Sequence, residues 1–176
     1  EGFGHMQMTT HKGQRWSTAN AYLKPVLSRK NLSVMVKTMT NRILFQGNRA
    51  IGIEITQAGY THSVHAKQEV ICCSGAINSP QLLMLSGIGD AEHLKKYNIP
   101  VVANLKGVGA NLQDHLEIYV QMACTQPISL YSATKPWNKL RIGIEWLMFK
   151  TGLGATNHFE AGGFIRSAKG VKQPNL

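Results

Sequence analysis

The sequence predicts a mixed α/β fold, and two patterns within its 176 residues carry that prediction. The first is a series of β-rich segments over residues 42–75, separated by turn residues, which is typical of an antiparallel meander. The second is a pair of helical segments that follows the last of these strands directly. Hydrophobic residues make up 43% and charged residues 16% of the chain, which excludes a disordered protein and leaves room for one domain or parts of two.

The N-terminal segment precedes the first predicted helix. Residues 1–15 are rich in glycine and turn residues, and we predict a helix that begins at Ser17 or Thr18 and runs to about residue 29. Pro25 should limit that helix, because proline removes a backbone donor and clashes with the preceding turn. The apolar stretch 31–36 predicts a short strand.

The meander is the clearest pattern in the chain. Residues 42–45 and 50–55 are β-rich and flank a Gly-Asn pair at 47–48, which predicts a hairpin. Residues 60–66 are expected to add a third strand. Residues 69–75, "EVICCSG", form a continuous apolar run that predicts a strand buried on both faces.

Two helices are predicted after that run. Gly75-Ala76 should form a turn, and the next helix should cover 80–87, with Pro80 in its first turn and Gly87 at its end. A strand, a glycine turn and a helix N-terminus in series is the arrangement that α/β folds place near phosphates, although this turn lacks the G-x-G-x-x-G spacing. A further helix should begin at Asp90, which is a favourable N-cap residue.

The pattern changes character near residue 115, where we predict a domain boundary that separates 1–114 from 115–176. Strands are expected over 116–125 and 161–166, and a largely apolar helix over 138–152 that should pack in a core. The chain begins with Glu1 rather than Met, and we expect it to be an internal fragment of a longer protein.

The net charge of +10 raises the question of an anionic partner. The Lys and Arg residues are scattered, and no aromatic residues are interleaved with them, so we predict no nucleic-acid binding. The alternatives are a solvated basic surface and some attraction to anionic lipid headgroups. Three cysteines make no disulfide framework, and adjacent Cys72 and Cys73 are predicted to be small buried hydrophobic residues in a reducing compartment. No metal-ligand spacing occurs.

Two segments carry a family resemblance. "GAINSPQLLMLSGIG" (75–89) and "GVGANLQDH" (107–115) resemble the second signature of the glucose-methanol-choline oxidoreductases, which are FAD-dependent alcohol dehydrogenases and oxidases. Residues 13–23, 42–54 and 154–167 resemble the choline-oxidising members in particular. The resemblance implies FAD as the cofactor, with part of a Rossmann-like FAD-binding domain over 1–114. It also implies the start of a substrate domain, built on an antiparallel sheet, over 115–176.

The resemblance also implies which residues lie near the cofactor. A glycine turn lets backbone approach a ligand closely, and a helix N-terminus favours the charged pyrophosphate. Thr40 stands where relatives often have a Val whose backbone contacts adenine. The alternative for residues 75–80 is a simple strand-to-helix connector. The alternative for 107–115 is a turn capped by its own side chains, and for Thr40 it is an ordinary strand residue. The implied cofactor residues are Thr40, Gly75, Ala76, Asn78, Ser79, Pro80, Asn111, Gln113 and Asp114.

Glu117 is the candidate substrate residue. In choline-acting members the pattern D-H-x-E after the glycine turn carries a carboxylate that faces the trimethylammonium group, and here it stands as residues 114–117. A quaternary ammonium donates no conventional hydrogen bond, so its site needs a negative charge and aromatic faces. Trp137 resembles the aromatic residue that such members place there, and Tyr119 should share a face with Glu117. The alternative for Glu117 is an exposed strand carboxylate.

The resemblance implies oxidation of choline to betaine aldehyde with FAD as the hydride acceptor. The family's catalytic His lies outside these 176 residues, so no residue of this chain is predicted to be catalytic; His115 and His158 are expected to be structural. The electron acceptor is left open between oxygen and a membrane carrier. The implied location is the mitochondrial inner membrane in a eukaryote or a membrane-associated site in a bacterium. Oxidation of another alcohol, or an inactive fragment that acts as a binding module, remain alternative functions.

Overall fold

A computed structural model describes all 176 residues, from Glu1 to Leu176. The chain divides into two compact units. We call residues 34–119 the sheet unit, and residues 1–33 with 120–176 the helix unit. The boundary predicted at 114/115 concerns the domains of a longer protein and stays a prediction.

Nine strands and three α-helices are connected by turns and short helical segments. The strands are β1 (Gly2–His5), β2 (Thr10–His11), β3 (Gln14–Arg15), β4 (Thr38–Gln46), β5 (Arg49–Gln57), β6 (Tyr60–His65), β7 (Ile88–Gly89), β8 (Ala103–Asn104) and β9 (Ala161–Phe164). The α-helices are α1 (Gly75–Leu85), α2 (Ala91–Lys96) and α3 (Pro136–Phe149). Single turns of π- or 3₁₀-helix cover Ala19–Leu23, Lys24–Val26, Leu130–Thr134 and Gly152–Ala155. None of the helices is both long and apolar enough to cross a lipid bilayer.

The predicted meander is confirmed as an antiparallel sheet in the order β4-β5-β6. Gly47 has a φ of +58°, the left-handed conformation that a tight hairpin requires and that glycine adopts without strain. Ile43 pairs with Ile53 across the hairpin, and a bulge follows Thr40. The sheet is therefore set by local pairing between consecutive strands.

The core of the sheet unit forms where α1 meets β4. Ile43, Ile55 and Leu94 are its buried apolar side chains, and Ser86 is buried beside them. The Ser86 hydroxyl accepts a hydrogen bond from the Ile43 backbone N–H at 2.8 Å and donates one to the Leu82 carbonyl oxygen at 2.6 Å. One side chain thus joins the end of α1 to the central part of the sheet.

The end of α1 is confirmed at the predicted glycine. Gly87 has a φ of +89°, and a Cβ added there would lie 2.4 Å from the Pro100 carbonyl oxygen. Only glycine permits this approach, which lets the short parallel pair β7-β8 form next to it. The Asp90 cap is also confirmed, since its side chain accepts hydrogen bonds from the backbone N–H groups of Glu92 and His93. These two bonds hold the pKa of Asp90 below its usual value.

The predicted start of α1 is wrong by five residues. The helix begins at Gly75, so Pro80 lies inside it rather than in its first turn. The Ser79 hydroxyl accepts a hydrogen bond from the Ser74 backbone N–H at 3.0 Å, across the first turn. The turn residues at 78–80 therefore belong to the helix, because a proline this close to the N-terminus removes only one intrahelical bond.

Three predicted strands do not form. Residues 31–36, 69–75 and 116–125 have no strand pairing, and Ile71 and Leu116 are 74% and 96% exposed. An apolar segment forms a stable strand only when a neighbouring strand pairs with its backbone and another layer covers its side chains. These three segments have neither within this chain. The prediction that Cys72 and Cys73 are buried is wrong for the same reason: Cys72 is half-buried and Cys73 is exposed.

The helix unit confirms two predictions. Helix α3 covers most of the predicted segment 138–152, and β9 forms within 161–166 and pairs antiparallel with β1. The expectation that α3 packs in a core is wrong, since none of its residues is buried. The Trp146 indole N–H donates to the Gly13 carbonyl oxygen at 2.7 Å and so anchors α3. The helix predicted from residue 17 is shorter than expected, because the chain changes at Lys24 from a π-turn to a 3₁₀ turn that contains Pro25.

Candidate functional site

A cavity in the sheet unit lies between β4 and α1. Its volume is about 630 Å³, within the rough range of 300–1,000 Å³ that is usual for small-molecule sites. Two of the predicted cofactor residues, Thr40 and Asn78, line it together although they are far apart in sequence. The full lining is Thr38, Met39, Thr40, Asn41, Ser74, Asn78, Gln81, Leu82 and Leu85.

The walls of this cavity combine amide and hydroxyl groups with an apolar surface. On the sheet side, the Asn41 side-chain amide donates to the Thr56 hydroxyl at 2.9 Å, next to the bulge after Thr40. On the helix side, Asn78 and Gln81 lie three residues apart and so share one face of α1. Amide groups that are positioned in this way can donate to and accept from a heterocyclic base or a sugar hydroxyl.

Sequence reasoning missed four polar residues of the cavity: Thr38, Asn41, Ser74 and Gln81. The i, i+3 spacing of Asn78 and Gln81 was available as a signal, but the helix was predicted to begin at residue 80. Placing Asn78 outside the helix hid the shared face. Asn41 carried no sequence signal, because it is the unpaired residue of a bulge that depends on pairing with β5.

The loop over 107–115 lies against α1. A Cβ added to Gly109, whose φ is +75°, would lie 3.3 Å from the Met84 Cε atom and 3.8 Å from the Pro80 Cβ atom. The two segments that carry the family resemblance are therefore adjacent in the fold. Glycine suits this position for two reasons. It adopts the left-handed conformation without strain, and it lacks a side chain that would crowd Met84.

The remaining predicted cofactor residues do not line the cavity. These are Gly75, Ala76, Ser79, Pro80, Asn111, Gln113 and Asp114. Asn111 has a φ of +56°, and the Asp114 carboxylate accepts from the His115 backbone N–H at 2.8 Å. The Asp114 contact is typical of a turn that is held by its own side chain. At the start of α1, no atom lies within 4 Å of a Cβ placed on Gly75. Their role at the cofactor stays a prediction.

The thiol of Cys72, just before α1, has a lowered pKa. Hydrogen bonding from Ser79, with further hydrogen bonds from the Ser74 backbone and side chain, lowers the pKa of Cys72 against the opposing effect of its burial. The same two serines are bonded to each other through the Ser74 backbone N–H. These hydrogen bonds lie beside the first turn of α1, and helix N-termini in general favour anions.

Glu117 and Tyr119 are in direct contact. The Tyr119 hydroxyl donates to the Glu117 carboxylate at 2.5 Å, and this bond raises the pKa of Tyr119. The two side chains are in contact, but the strand whose face they were predicted to share does not form. Trp137 lies in the first turn of α3 and is 82% exposed. Glu117 belongs to the sheet unit and Trp137 to the helix unit, so the pocket predicted from both stays a prediction.

A sequence profile for the GMC oxidoreductases matches residues 1–117, which is more than half of the chain. The chain belongs to the GMC oxidoreductase family.

Named relatives of this GMC oxidoreductase chain include choline dehydrogenases. The chain is 61% identical to the mouse protein "Choline dehydrogenase, mitochondrial" and covers 30% of that protein's length. The human protein of the same name is 60% identical over 30% of its length. An "Oxygen-dependent choline dehydrogenase" of Brucella ovis is 57% identical over 32% of its length. All of the chain is covered in each case, so it spans about a third of the relatives it matches.

Solved structures confirm the predicted fold. An FAD-dependent oxidoreductase from Chaetomium thermophilum superposes with a TM-score of 0.78 over 93% of this chain and 30% of its own, at 23% identity. A formate oxidase gives a TM-score of 0.79 over 93% of this chain and 29% of its own, also at 23% identity. At this level of identity the likeness establishes the GMC fold alone.

Proposed function

We propose that this chain is part of an FAD-dependent enzyme that oxidises choline to betaine aldehyde. The observation that carries the proposal is the identity of 61% to a choline dehydrogenase, which extends over the whole chain. An identity of 61% over all 176 residues supports a shared activity as well as a shared fold. Since the chain spans 30% of that relative, the activity is proposed for the longer protein to which these residues belong.

The cavity between β4 and α1 fits part of a dinucleotide. Its polar side chains match the hydrogen-bonding groups of an adenine and a ribose, and Leu82 and Leu85 provide an apolar surface for the ring. We assign Thr40 and Asn78 to this part, and the N-terminal turn of α1 to the negatively charged pyrophosphate. When bound, FAD supplies the two-electron acceptor that alcohol oxidation needs.

Glu117 would attract the trimethylammonium group of choline. The hydrogen bond from Tyr119 restricts the orientation of the Glu117 carboxylate, while the second carboxylate oxygen remains able to face a cation. A quaternary ammonium is recognised by charge and by aromatic faces, and Trp137 is proposed as one such face. Holding the cation fixes the direction of the alcohol carbon, and orientation of that kind is a large share of catalysis.

We propose a mitochondrial location, at the inner membrane, if the source is a eukaryote. This proposal is supported by the word "mitochondrial" in the names of the mouse and human relatives. The electron acceptor is either a membrane carrier or oxygen, because the relatives include a protein named as oxygen-dependent. The experiment that tests the activity also distinguishes the two.

The test uses the full-length protein, purified with its flavin and kept free of oxygen. Choline is added and the visible flavin absorption is followed, with 3,3-dimethylbutan-1-ol as the uncharged alcohol of the same shape. We expect rapid bleaching by choline and slow bleaching by the neutral alcohol. Bleaching by the neutral alcohol alone would leave the family and contradict the substrate. Admission of oxygen afterwards should restore the absorption quickly in an oxidase and slowly in an enzyme that uses a membrane carrier.

Glu117→Gln tests the substrate pocket within the same protein. Removing the charge should raise the KM for choline by about tenfold or more and leave the KM for 3,3-dimethylbutan-1-ol unchanged, since only choline carries a cation. Glu69→Gln, an exposed carboxylate of the same unit, is the matched control and should change neither value. An unchanged KM for choline in Glu117→Gln would remove Glu117 from the site.

A further inference from the structure

Strand β4 contains one residue more than β5 where it borders the cavity. Thr40 pairs with Ile55 and Arg42 pairs with Glu54, so Asn41 lies between them without a partner on β5. An extra residue of this kind is a β-bulge, and it shifts the alternation of the bulged strand by one position. We call Asn41 the bulge residue of β4.

The bulge determines which face of the sheet Thr40 lies on. Side chains of a regular strand alternate between its two faces, so residues 40 and 43 would lie on opposite faces. Their partners on β5, Ile55 and Ile53, are two residues apart and therefore share one face. The bulge residue thus places Thr40 on the same face as Ile43, which is the face that packs against α1 and borders the cavity.

The same shift directs the backbone of Thr40 away from β5. The Ile43 backbone N–H donates to the Ser86 hydroxyl at 2.8 Å, so it points to the edge of β4 that does not pair with β5. In a strand the backbone groups of alternate residues point to the same edge, and without the bulge residue Thr40 would precede Ile43 by two positions. The N–H and C=O of Thr40 therefore face that edge, where they offer a donor and an acceptor beside the cavity.

The Asn41 side chain anchors the bulge to β5. Its amide nitrogen donates to the Thr56 hydroxyl at 2.9 Å and makes a longer hydrogen bond, of 3.5 Å, to the Glu54 carboxylate. Both acceptors lie on the face away from α1, because each of them neighbours Ile55 in the strand. The Thr56 hydroxyl lies in turn 2.9 Å from the Thr61 hydroxyl of β6. A residue without a pairing partner is thereby tied to the next strand by its side chain.

We propose that Asn41 is a positioning residue for the adenine of FAD. Its hydrogen bond to Thr56 fixes the bulge, and the bulge presents the N–H and C=O of Thr40 to the ring. A donor next to an acceptor matches adenine, whose 6-amino group donates and whose adjacent ring nitrogen accepts. The inference rests on the proposed assignment of Thr40 to the cofactor, and it adds the reason why a main-chain contact can be specific for one base.

A direct contact between the Asn41 side chain and the ring is the alternative, and the hydrogen bonds disfavour it. The amide nitrogen already has two acceptors on β5, which leaves the amide oxygen for a ligand. A direct contact would also make Thr56 unimportant, because Thr56 does not line the cavity. The two possibilities therefore differ in what a change at Thr56 should do to flavin binding.

Flavin binding to the full-length protein tests the proposal. The protein is prepared without flavin, from cells deprived of riboflavin, and unbound flavin is measured after ultrafiltration. The ligands are FAD, FMN, which lacks the adenine, and the FAD analogue that carries hypoxanthine in place of adenine. The analogue has an oxygen in place of the amino group, so it cannot donate there to the Thr40 carbonyl oxygen. We expect the unmodified protein to prefer FAD over the analogue by about tenfold or more.

Removal of the anchor should remove that preference. Asn41→Ala and Thr56→Val should each lower the affinity for FAD by about five- to tenfold, because Thr40 loses its fixed direction. Their preference for FAD over the analogue should fall to about twofold or less, and their affinity for FMN should stay within about twofold of the unmodified protein. Thr56→Ser keeps the hydroxyl and should retain the preference for FAD.

Thr61→Val is the matched control for Thr56→Val. It removes a hydroxyl that contacts Thr56 and leaves the hydrogen bond between Asn41 and Thr56 in place. Its affinities for the three ligands should equal those of the unmodified protein within about twofold. Choline-dependent bleaching of the unmodified protein reports separately on the proposed function, because it does not depend on which base the protein prefers.

Four results would overturn the proposal. The first is an unmodified protein that binds FAD and the hypoxanthine analogue equally, and the second is a preference for FAD that persists in Asn41→Ala. The third is a loss in Asn41→Ala that Thr56→Val does not share, which would make Asn41 a direct contact. The fourth is an equal loss of FAD and FMN, which would show a general loss of structure.

The Thr56 pair decides the matter if Asn41→Ala does not fold. Loss of the preference in Thr56→Val and its retention in Thr56→Ser would support the proposal. Loss in both variants, retention in both, or failure of Thr56→Val to fold would overturn it, because the hydroxyl would then have no separate effect on the base that is bound.

Discussion

The sheet unit and the helix unit bury their apolar residues very differently. All four buried side chains of the chain, Ile43, Ile55, Leu94 and Ser86, belong to the sheet unit. The helix unit has none. Its helix α3 exposes four apolar side chains on one face, and the segment that enters the unit exposes Val120 and Met122.

The difference shows that side chains of this chain become buried where consecutive strands pair. The β4-β5-β6 meander joins consecutive segments through short turns and covers itself with α1. The helix unit is joined by pairs such as β1-β9, whose partners are more than 150 residues apart. Within these 176 residues, no layer covers the apolar side chains of the helix unit.

The largest expected effect is in the core of the sheet unit. Leu94 is 0% exposed, and Leu94→Ala should lower the free energy of unfolding by about 2–5 kcal/mol, because it leaves a cavity between α2 and α1. Hydrogen exchange of peptides from 34–119 in the full-length protein measures this. Leu140→Ala, on the exposed face of α3, should change stability by about 0.5 kcal/mol or less. Equal losses in the two variants would show that the helix unit also has a closed core.

A smaller effect is expected where α1 joins the sheet. Ser86→Ala removes the acceptor of the Ile43 backbone N–H and leaves it unsatisfied in a buried position. The expected loss is about 1–3 kcal/mol in the free energy of unfolding, read from the urea midpoint. Ser63→Ala, an exposed serine of β6, is the matched control and should have almost no effect. A neutral Ser86→Ala would mean that α1 is held to the sheet by apolar packing alone.

The smallest effect concerns the Tyr119–Glu117 hydrogen bond at the edge of the sheet unit. Because the bond raises the pKa of the Tyr119 phenol in the folded protein, its contribution is complete below the ordinary tyrosine pKa of about 10 and is lost as the pH rises through the raised value. Glu117→Gln should return the titration of Tyr119 toward its ordinary value, as measured by the ultraviolet absorbance of the phenolate. Tyr60 is a suitable internal control because it is also exposed. An unchanged Tyr119 titration in Glu117→Gln would exclude this contact in solution.

The features that the sequence predicted correctly depend on neighbours that are close in the chain. The hairpin at 47–48, the cap at Asp90 and the end of α1 at Gly87 each require only local geometry. Helix α3 was predicted from its composition, although its exposed apolar face was not expected, since the segment was taken for a core helix. Thr40 and Asn78 were assigned to the cofactor from family resemblance, and the structure brings both to one cavity.

The failed strand and cysteine-burial predictions share one physical cause. The segments 69–75 and 116–125 have the composition of buried strands, but composition does not supply the neighbouring strands that would pair with them. The buried state expected for Cys72 and Cys73 depended on the same missing partners. The start of α1 failed for a local reason, since Pro80 was taken as a first-turn residue when the hydrogen bond from Ser74 to Ser79 begins the helix earlier.

The sequence by itself determined the family, the meander, the helix caps and the residue types that suit a flavin and a quaternary ammonium, because these follow from short-range chemistry and from motifs. Only the tertiary structure decided that Asn41, Ser74 and Gln81 join Thr40 and Asn78 around one cavity. It alone decided which side of α3 stays exposed. Both depend on which surfaces meet across long distances in the chain, and no local pattern encodes that pairing.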